Sequence, residues 1–194
     1  MNMTESGDSA APLGAWMLLG VALLAVSSAG AVLQAMDEIP PVLRASWRMQ
    51  GTALVLLPGF VYQFRKMERS TLTSRDGQIM LASSIFLAIH FGSWVWSLDH
   101  TSLIHSLLFV SSHPLVLVLV MPLIGAAVRK GHIIGVLVGF IGALLSLGDV
   151  KPGGEVTLMG DVAAFLGALT VVGYLFAGRY LRSQRQVPIF VYAF

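Results

Sequence analysis

Long apolar runs alternate with short polar segments along most of the chain. A membrane-crossing helix needs about 20 mostly apolar residues, and six runs approach or exceed this length. These runs cover residues 13–36, 42–64, 79–98, 102–128, 132–147 and 158–178. The pattern predicts an all-α fold, a multi-pass transmembrane helical bundle with six full spans. The apolar run at 187–194 predicts the start of a seventh.

Charged residues and prolines mark the ends of these runs. Asp37 and Glu38 are followed by two prolines, and a charged segment at 65–69 ends the second run. The first run is too long for the apolar part of a secretory signal, and no Lys or Arg precedes it. We therefore predict that it is a retained membrane span.

The composition indicates a lipid-facing protein, because only 11% of residues are charged while 56% are hydrophobic. A soluble domain of this size would need a more polar surface, so the lipid bilayer is the expected partner. The absence of cysteine excludes disulfides, thiol catalysis and thiolate metal sites. The sequence pI is about 9.2. The basic residues nevertheless form short clusters without interleaved aromatic residues, so no nucleic-acid partner is expected.

Basic residues are distributed unequally between the two sides of the predicted bundle. The loops after spans two, four and six contain nine of the twelve Lys and Arg residues: Arg65, Lys66, Arg69, Arg75, Arg129, Lys130, Arg179, Arg182 and Arg185. Basic residues resist translocation and collect in cytoplasmic loops. The bias predicts that these loops and the N-terminus face the cytoplasm, although the N-terminal tail itself carries no basic residue.

Several short motifs occur in order from the third span onward. A His-Phe-Gly-Ser-Trp run opens the segment 90–98, a Thr-Ser pair follows it, and a Ser-Ser-His-Pro segment ends at Pro114. A Gly-Asp pair opens the sixth span, and the Arg-containing segment 178–182 closes it. Together with Arg48 in span two, these motifs resemble the EamA-like family of the drug/metabolite transporter superfamily, in its first repeat and the start of its second.

The resemblance implies ten helices arranged as two five-helix repeats of opposed orientation. On this basis residues 1–11 are a cytoplasmic polar tail, residues 12–149 form the first repeat, and residues 156–194 begin the second. It also implies a central solute cavity and transport by alternating access. One departure is the segment 125–129, which reads Gly-Ala-Ala-Val-Arg where family members often have a glutamate.

On the same grounds we expect a fragment or a truncated product that does not transport by itself. One repeat would leave a polar cavity face uncovered, and such a face is tolerated only when protein or water covers it. A missing second half, or a second copy in a homodimer, would complete the carrier. The basic bias opposes the homodimer, because two copies would have to insert in opposite directions.

Three polar or aromatic residues of span three share one helical face. His90, Trp94 and Ser97 are spaced i, i+4, i+7. A titratable ring, an aromatic wall and a hydroxyl suit a solute cavity, and ionisable groups in membrane spans usually face a cavity or a partner. We predict that the three residues bind substrate. The alternative is an interhelical hydrogen bond from His90 beside packing residues.

His113 and Pro114 lie near the middle of span four. Proline disrupts the hydrogen bond to the carbonyl four residues earlier, here that of Val110. Broken helices often line the substrate path of transporters, so His113 is predicted to bind substrate as well. Alternatively, the proline causes a plain kink that Ser111 or Ser112 repairs.

Two arginines lie one turn apart near the start of span two. Arg44 is predicted to extend to the lipid head groups. Arg48 lies deeper and is predicted to attract an anionic solute, or to pair with Asp37 or Glu38. Asp161, near the start of span six, is predicted to stabilise that helix N-terminus.

Three functions other than solute transport are an enzyme, a redox protein and an assembly partner. The sequence contains no catalytic set, phosphate-binding loop or metal motif, so neither an enzyme nor a cofactor is expected. A bis-histidine redox protein would pair His90 with His105 or His113 across helices. A non-transporting assembly partner is the third alternative, and the glycines Gly135, Gly139 and Gly142 predict a packing face or a dimer interface. A carrier agrees best with the motifs, and amino acids, metabolites and amphipathic drugs all suit its predicted lining.

Overall fold

The computed structural model describes residues 12–67, 72–125, 127–148 and 155–194. The predicted tail at 1–11 and the turn at 151–154 lie outside these residues. The described residues form eight α-helices: α1 (Leu13–Gln34), α2 (Pro41–Lys66), α3 (Ser74–Ser97), α4 (Leu103–Val110), α5 (His113–Val120), α6 (Lys130–Gly148), α7 (Leu158–Arg179) and α8 (Ile189–Ala193). A short 3-10 segment, Met121–Ile124, extends α5, and a π turn, Tyr180–Gln184, extends α7.

Within the described residues, four helical segments are long and apolar enough to cross a membrane. They are Leu13–Gln34, Ser74–Ser97, Leu103–Leu123 and Leu158–Gln184. The predicted multi-pass helical fold is therefore confirmed, but six full spans and a partial seventh are not. α2 has 26 residues, enough to span, but its arginines and glutamines make it less apolar. A shorter apolar helical segment covers Lys130–Gly142 of α6.

The fourth apolar run is broken near Pro114, as the sequence predicts. α4 ends at Val110 and α5 begins at His113. The His113 Nδ1–H donates to the Val110 carbonyl oxygen at 3.2 Å, and the Ser112 hydroxyl donates to the Phe109 carbonyl oxygen at 2.6 Å. Neighbouring side chains therefore satisfy carbonyls at the break, which agrees with the kink interpretation.

α3 and α7 run antiparallel and form the most extensive helix contact among the described residues. A Cβ at Gly167 of α7 would lie 3.3 Å from the His90 carbonyl oxygen, and one at Gly160 would overlap the His100 carbonyl. Small residues of this kind let helix backbones approach closely in membranes. α4 and α5 also pack on α7, and α2 packs on α3 and α8, so α3 and α7 form the centre of the bundle.

We name the two ends of the bundle after two aspartates: Asp76, in the first turn of α3, and Asp99, in the turn that follows α3. At the Asp99 end, α1 and α3 finish and α2, α4 and α7 begin. At the Asp76 end, α3 begins and α2 and α7 finish.

Asp76 is 1% exposed, caps α3 together with Thr73, and accepts hydrogen bonds of 2.8 to 3.0 Å from the Arg185 guanidinium. These bonds raise the pKa of Arg185.

A cavity of about 350 Å³ lies between α6 and the break after α4. Pro114, Gly135 and Gly139 contribute to its lining. A Cβ at either glycine would meet open space. Within the described residues, this part of the predicted glycine face is therefore not a close helix contact, and its role as a dimer interface stays a prediction.

Candidate functional site

Arg48 and Trp94, two of the predicted binding residues, meet where α2 packs on α3. Arg48 is the eighth residue of α2, about 10 Å along the helix from its start. Its guanidinium carbon lies 4.7 Å from the Phe91 ring centroid and 5.3 Å from the Trp94 ring centroid. Aromatic faces attract a cation at this range. The two rings therefore hold Arg48 in place without the help of an acid.

The polar groups of this contact lack hydrogen-bond acceptors. Trp94 is 7% exposed, and its buried Nε1–H has no hydrogen-bond partner among the described residues. The Arg48 side chain forms no ion pair there, so the predicted pairing with Asp37 or Glu38 is not formed. Leaving one buried donor unpaired costs about 1–3 kcal/mol. The contact therefore contains a guanidinium and a buried indole N–H that have no acceptor among the described residues.

His90 lies on the same face of α3, but its ring bonds to α7. The Nδ1–H donates to the Gly167 carbonyl oxygen at 2.8 Å, and the Thr170 hydroxyl donates to the same oxygen at 3.2 Å. The His90 ring centroid lies 6.3 Å from that of Trp94 and 4.8 Å from that of Phe91. His90 thus makes the interhelical bond of the packing alternative while it borders the site. Its binding role stays a prediction.

His113 belongs to the same neighbourhood. Its Nδ1–H donates to the Val110 carbonyl oxygen, and Val110 belongs to the hydrophobic cluster that contains Trp94. The structure therefore brings four of the five predicted residues, Arg48, His90, Trp94 and His113, into one region. This region lies between α2, α3 and the break that separates α4 from α5.

Ser97 has a different environment. It is 0% exposed, and its hydroxyl donates to the Trp94 carbonyl oxygen at 2.6 Å. The Ser106 hydroxyl, at 2.6 Å, is its other partner. These bonds join the end of α3 to α4, so the Ser97 hydroxyl is engaged in helix packing.

The prediction that Arg44 extends to the lipid head groups is wrong. Its side chain is 0% exposed, forms an ion pair with Asp99, and donates to the Leu33 carbonyl oxygen at 2.6 Å. The reason is that Asp99, in the turn between α3 and α4, lies within the bundle. Its carboxylate binds the Arg44 guanidinium more strongly than a mobile lipid head group would. We call Arg44, Asp99 and Leu33 the Arg44 clamp, because they join α1, α2 and the turn after α3.

Most of the helices described above lie in a segment of the chain that matches a known protein family. The family model described as the EamA-like transporter family matches residues 12–148, more than half of the chain. The chain belongs to the EamA-like transporter family. The resemblance drawn from short motifs is therefore confirmed. Comparisons with curated proteins and with solved structures gave no match.

Membership of the EamA-like family makes the chain an integral membrane protein of the drug/metabolite transporter superfamily, whose members are transporters and not enzymes. The redox alternative receives no support.

The EamA-like chain also contains a polar cluster that the sequence did not reveal as a unit. Asp161 accepts hydrogen bonds from the Thr101 hydroxyl at 2.7 Å and from His105 Nδ1–H at 3.2 Å. Asp161 lies in the first turn of α7, where the helix dipole also favours a carboxylate. Thr101 and His105 are one turn apart in the sequence, but no sequence signal places the start of α7 beside them. The cluster joins α4 to α7 at the Asp99 end.

Proposed function

We propose that this chain works in a carrier that moves a small solute across the membrane by alternating access. The observation that supports this best is the Arg48–Trp94 contact, in which two donors lie inside the bundle without acceptors. In a transporter family, polar groups held at such a depth are expected to face a solute. Arg48, Trp94, His90 and His113 are the proposed substrate-binding residues, and Ser97 fixes the end of α3 behind them.

The proposed movement takes place between α7 and the helices before it. α7 is proposed to open a second repeat, and alternating access rocks one repeat against the other around a fixed site. Polar links cross this boundary at both ends of the bundle: His90 to Gly167, Thr157 to His100, Thr101 and His105 to Asp161, and Arg185 to Asp76. In this proposal these links break or form again during the movement. In this proposal α2 and α6 also span the membrane.

The Asp76 end and the N-terminus are proposed to face the cytoplasm. Basic residues collect at this end, where Arg65 and Lys66 end α2, Arg75 lies in the first turn of α3, and Arg179 and Arg182 lie at the end of α7 and just beyond it. This is the distribution that the positive-inside rule expects of a cytoplasmic face.

The orientation is tested by cysteine labelling, because the chain contains no cysteine. Val156→Cys and Gln78→Cys place one thiol at each end of the bundle, both at exposed positions. In intact cells an impermeant maleimide should label the first variant, and the second only after permeabilisation. The reverse pattern would contradict the proposed orientation.

Transport is tested in cells, where any proteins that assemble with the chain are present. Cells with the chain, cells without it and cells with Arg48→Gln are compared for fluxes of radiolabelled organic acids, amino acids and amines. We expect a saturable flux of one solute class that requires both the chain and Arg48. Arg65→Gln, an exposed charge at the other end of α2, is the matched control. Equal fluxes in all cells, with normal amounts of each variant in the membrane, would contradict a carrier.

A further inference from the structure

The contact between Arg48 and Trp94 presents two kinds of hydrogen-bond donor. The Arg48 guanidinium lies over the faces of Trp94 and Phe91, at 5.3 and 4.7 Å from their centroids. The Trp94 Nε1–H is buried and has no partner in the described part of the chain. Neither group can accept a hydrogen bond. A ligand that satisfies both must therefore supply acceptor atoms.

The positive charge of Arg48 favours a negatively charged ligand over a neutral or cationic one. Arg48 is a permanent cation, and His90 and His113 carry either no charge or a positive charge. A lone charge within a membrane span is costly unless it is compensated. A negatively charged ligand would compensate Arg48, whereas a cationic ligand would add a second positive charge.

The acids near this region do not supply that compensation. Asp99 is paired with Arg44, and Asp161 is bonded to Thr101 and His105. No ion pair joins any described acid to Arg48. The described residues therefore supply no negative charge for Arg48, and an anionic ligand would supply it.

We infer that the Arg48–Trp94 contact is the binding site for a small organic anion, whose carboxylate or phosphate group accepts from the guanidinium and from the indole N–H. The planar fork of arginine matches the oxygens of both groups. The rings of Phe91, Trp94 and His90 beside it provide an apolar surface for the organic part of the solute. The inference rests on the proposed carrier function and adds the chemical class of the solute.

The test is a calorimetric titration of the purified chain in maltoside micelles without phosphate buffer. Phenylacetate, phenyl phosphate, phenylacetamide and phenethylamine are the probes, because they share one aromatic ring and differ in the polar group. We expect at least one of the two acids to bind about tenfold more tightly than the amide, the effect of a charge-assisted hydrogen bond. The amine should not bind measurably.

Two variants locate the binding. Arg48→Gln should weaken acid binding about 30-fold or more, as when one partner of a buried charge pair is removed. Trp94→Phe keeps an aromatic ring and removes the N–H, so acid binding should fall about tenfold. Amide binding should fall less, because a neutral carbonyl accepts a weaker hydrogen bond than a charged oxygen does. Arg65→Gln is the control and should bind as the native chain does. If Arg48→Gln does not fold, Trp94→Phe and the acid–amide comparison still decide the question.

Equal affinity for acid, amide and amine would overturn the inference, and so would unchanged acid binding in the folded variants. Lipid phosphate is a competing source of the same chemistry. The titration is therefore repeated in nanodiscs that contain phosphatidylglycerol, where we expect acid binding to persist. Loss of acid binding in the nanodiscs alone would identify a lipid head group as the occupant and overturn a solute anion.

The experiments distinguish a failure of the proposed anion site from a failure of the proposed carrier function. Acid binding that depends on Arg48, without any acid flux in cells, would leave the anion site standing and contradict the carrier function. A flux of amines or neutral solutes, without acid binding to the purified chain, would support a carrier and overturn the anion site.

Discussion

Arg44 and Arg48 lie one turn apart on α2, but their charges are balanced in different ways. Arg44 is fully buried in the Arg44 clamp, with the Asp99 carboxylate and the Leu33 carbonyl as partners. Arg48 is partly buried, lies over the rings of Phe91 and Trp94, and forms no ion pair among the described residues. The Arg44 charge is balanced by Asp99, although the buried Arg44 Nε–H has no hydrogen-bond partner among the described residues. The Arg48 charge has no acid partner among them.

This difference shows what separates a structural arginine from one available to a ligand. A charge inside a membrane protein must be balanced, and the balance comes from the protein itself or from what the protein binds. Arg44 and Arg48 are the same residue type, and one helical turn separates them. The presence or absence of an acid partner distinguishes them, and this information comes from helix packing.

The largest expected effect comes from removing the acid of the clamp. Asp99→Asn leaves the buried Arg44 guanidinium without a counter-charge, which typically costs about 3–5 kcal/mol. Unfolding by SDS in mixed micelles, followed by tryptophan fluorescence, measures the loss. Asp37→Asn, an exposed acid at the same end, should change the free energy of unfolding by less than about 0.5 kcal/mol. Similar small losses in both variants would show that Asp99 does not hold Arg44.

A pair of glycine variants compares the packing of the two regions. Gly160→Ala places a Cβ against the His100 backbone carbonyl at the Asp99 end, and overpacking of this kind costs about 1–3 kcal/mol. Gly92→Ala, beside Phe91 in the site, meets open space. It should be neutral or gain up to about 1 kcal/mol from helix propensity. An equal loss in both variants, by the same SDS assay, would contradict a tight clamp beside a more open site.

His90→Leu is expected to have the smallest effect on stability. The variant removes one interhelical hydrogen bond, worth about 0.5–1.5 kcal/mol. The Gly167 carbonyl keeps the Thr170 hydroxyl as a donor, so it is not left unsatisfied. His132→Leu, at an exposed position of α6, is the control. A loss as large as that of Asp99→Asn would assign His90 to the structural framework and remove it from the proposed site.

The boundaries of several helices could be predicted from the sequence. The run at 13–36 corresponds to α1, and the run at 158–178 corresponds to α7, each with ends within two residues. Both runs have uninterrupted apolar centres and clear polar limits. Pro114 likewise predicted the break between α4 and α5, because the missing N–H of proline acts locally.

The partners of the charged residues could not be predicted in the same way. Arg44 pairs with an acid 55 residues away, and Asp161 bonds to a histidine 56 residues away. Helical periodicity places Trp94 on the face of His90, but it does not indicate which helix meets that face. The contact of Phe91 with Arg48 depends on the register between α2 and α3, for which the sequence of one chain gives no signal.

The most direct test is a thermal melting comparison of Arg44→Met and Arg48→Met, each with and without phenylacetate or phenyl phosphate. A ligand at one hundred times its Kd adds about 2.7 kcal/mol of stability to the state that binds it. We predict that Arg44→Met melts several degrees below the native chain but keeps the rise in Tm caused by the anion. Arg48→Met should melt close to the native temperature and lose that rise. An Arg48→Met variant that keeps the full rise would contradict the account, because the anion would then bind without Arg48.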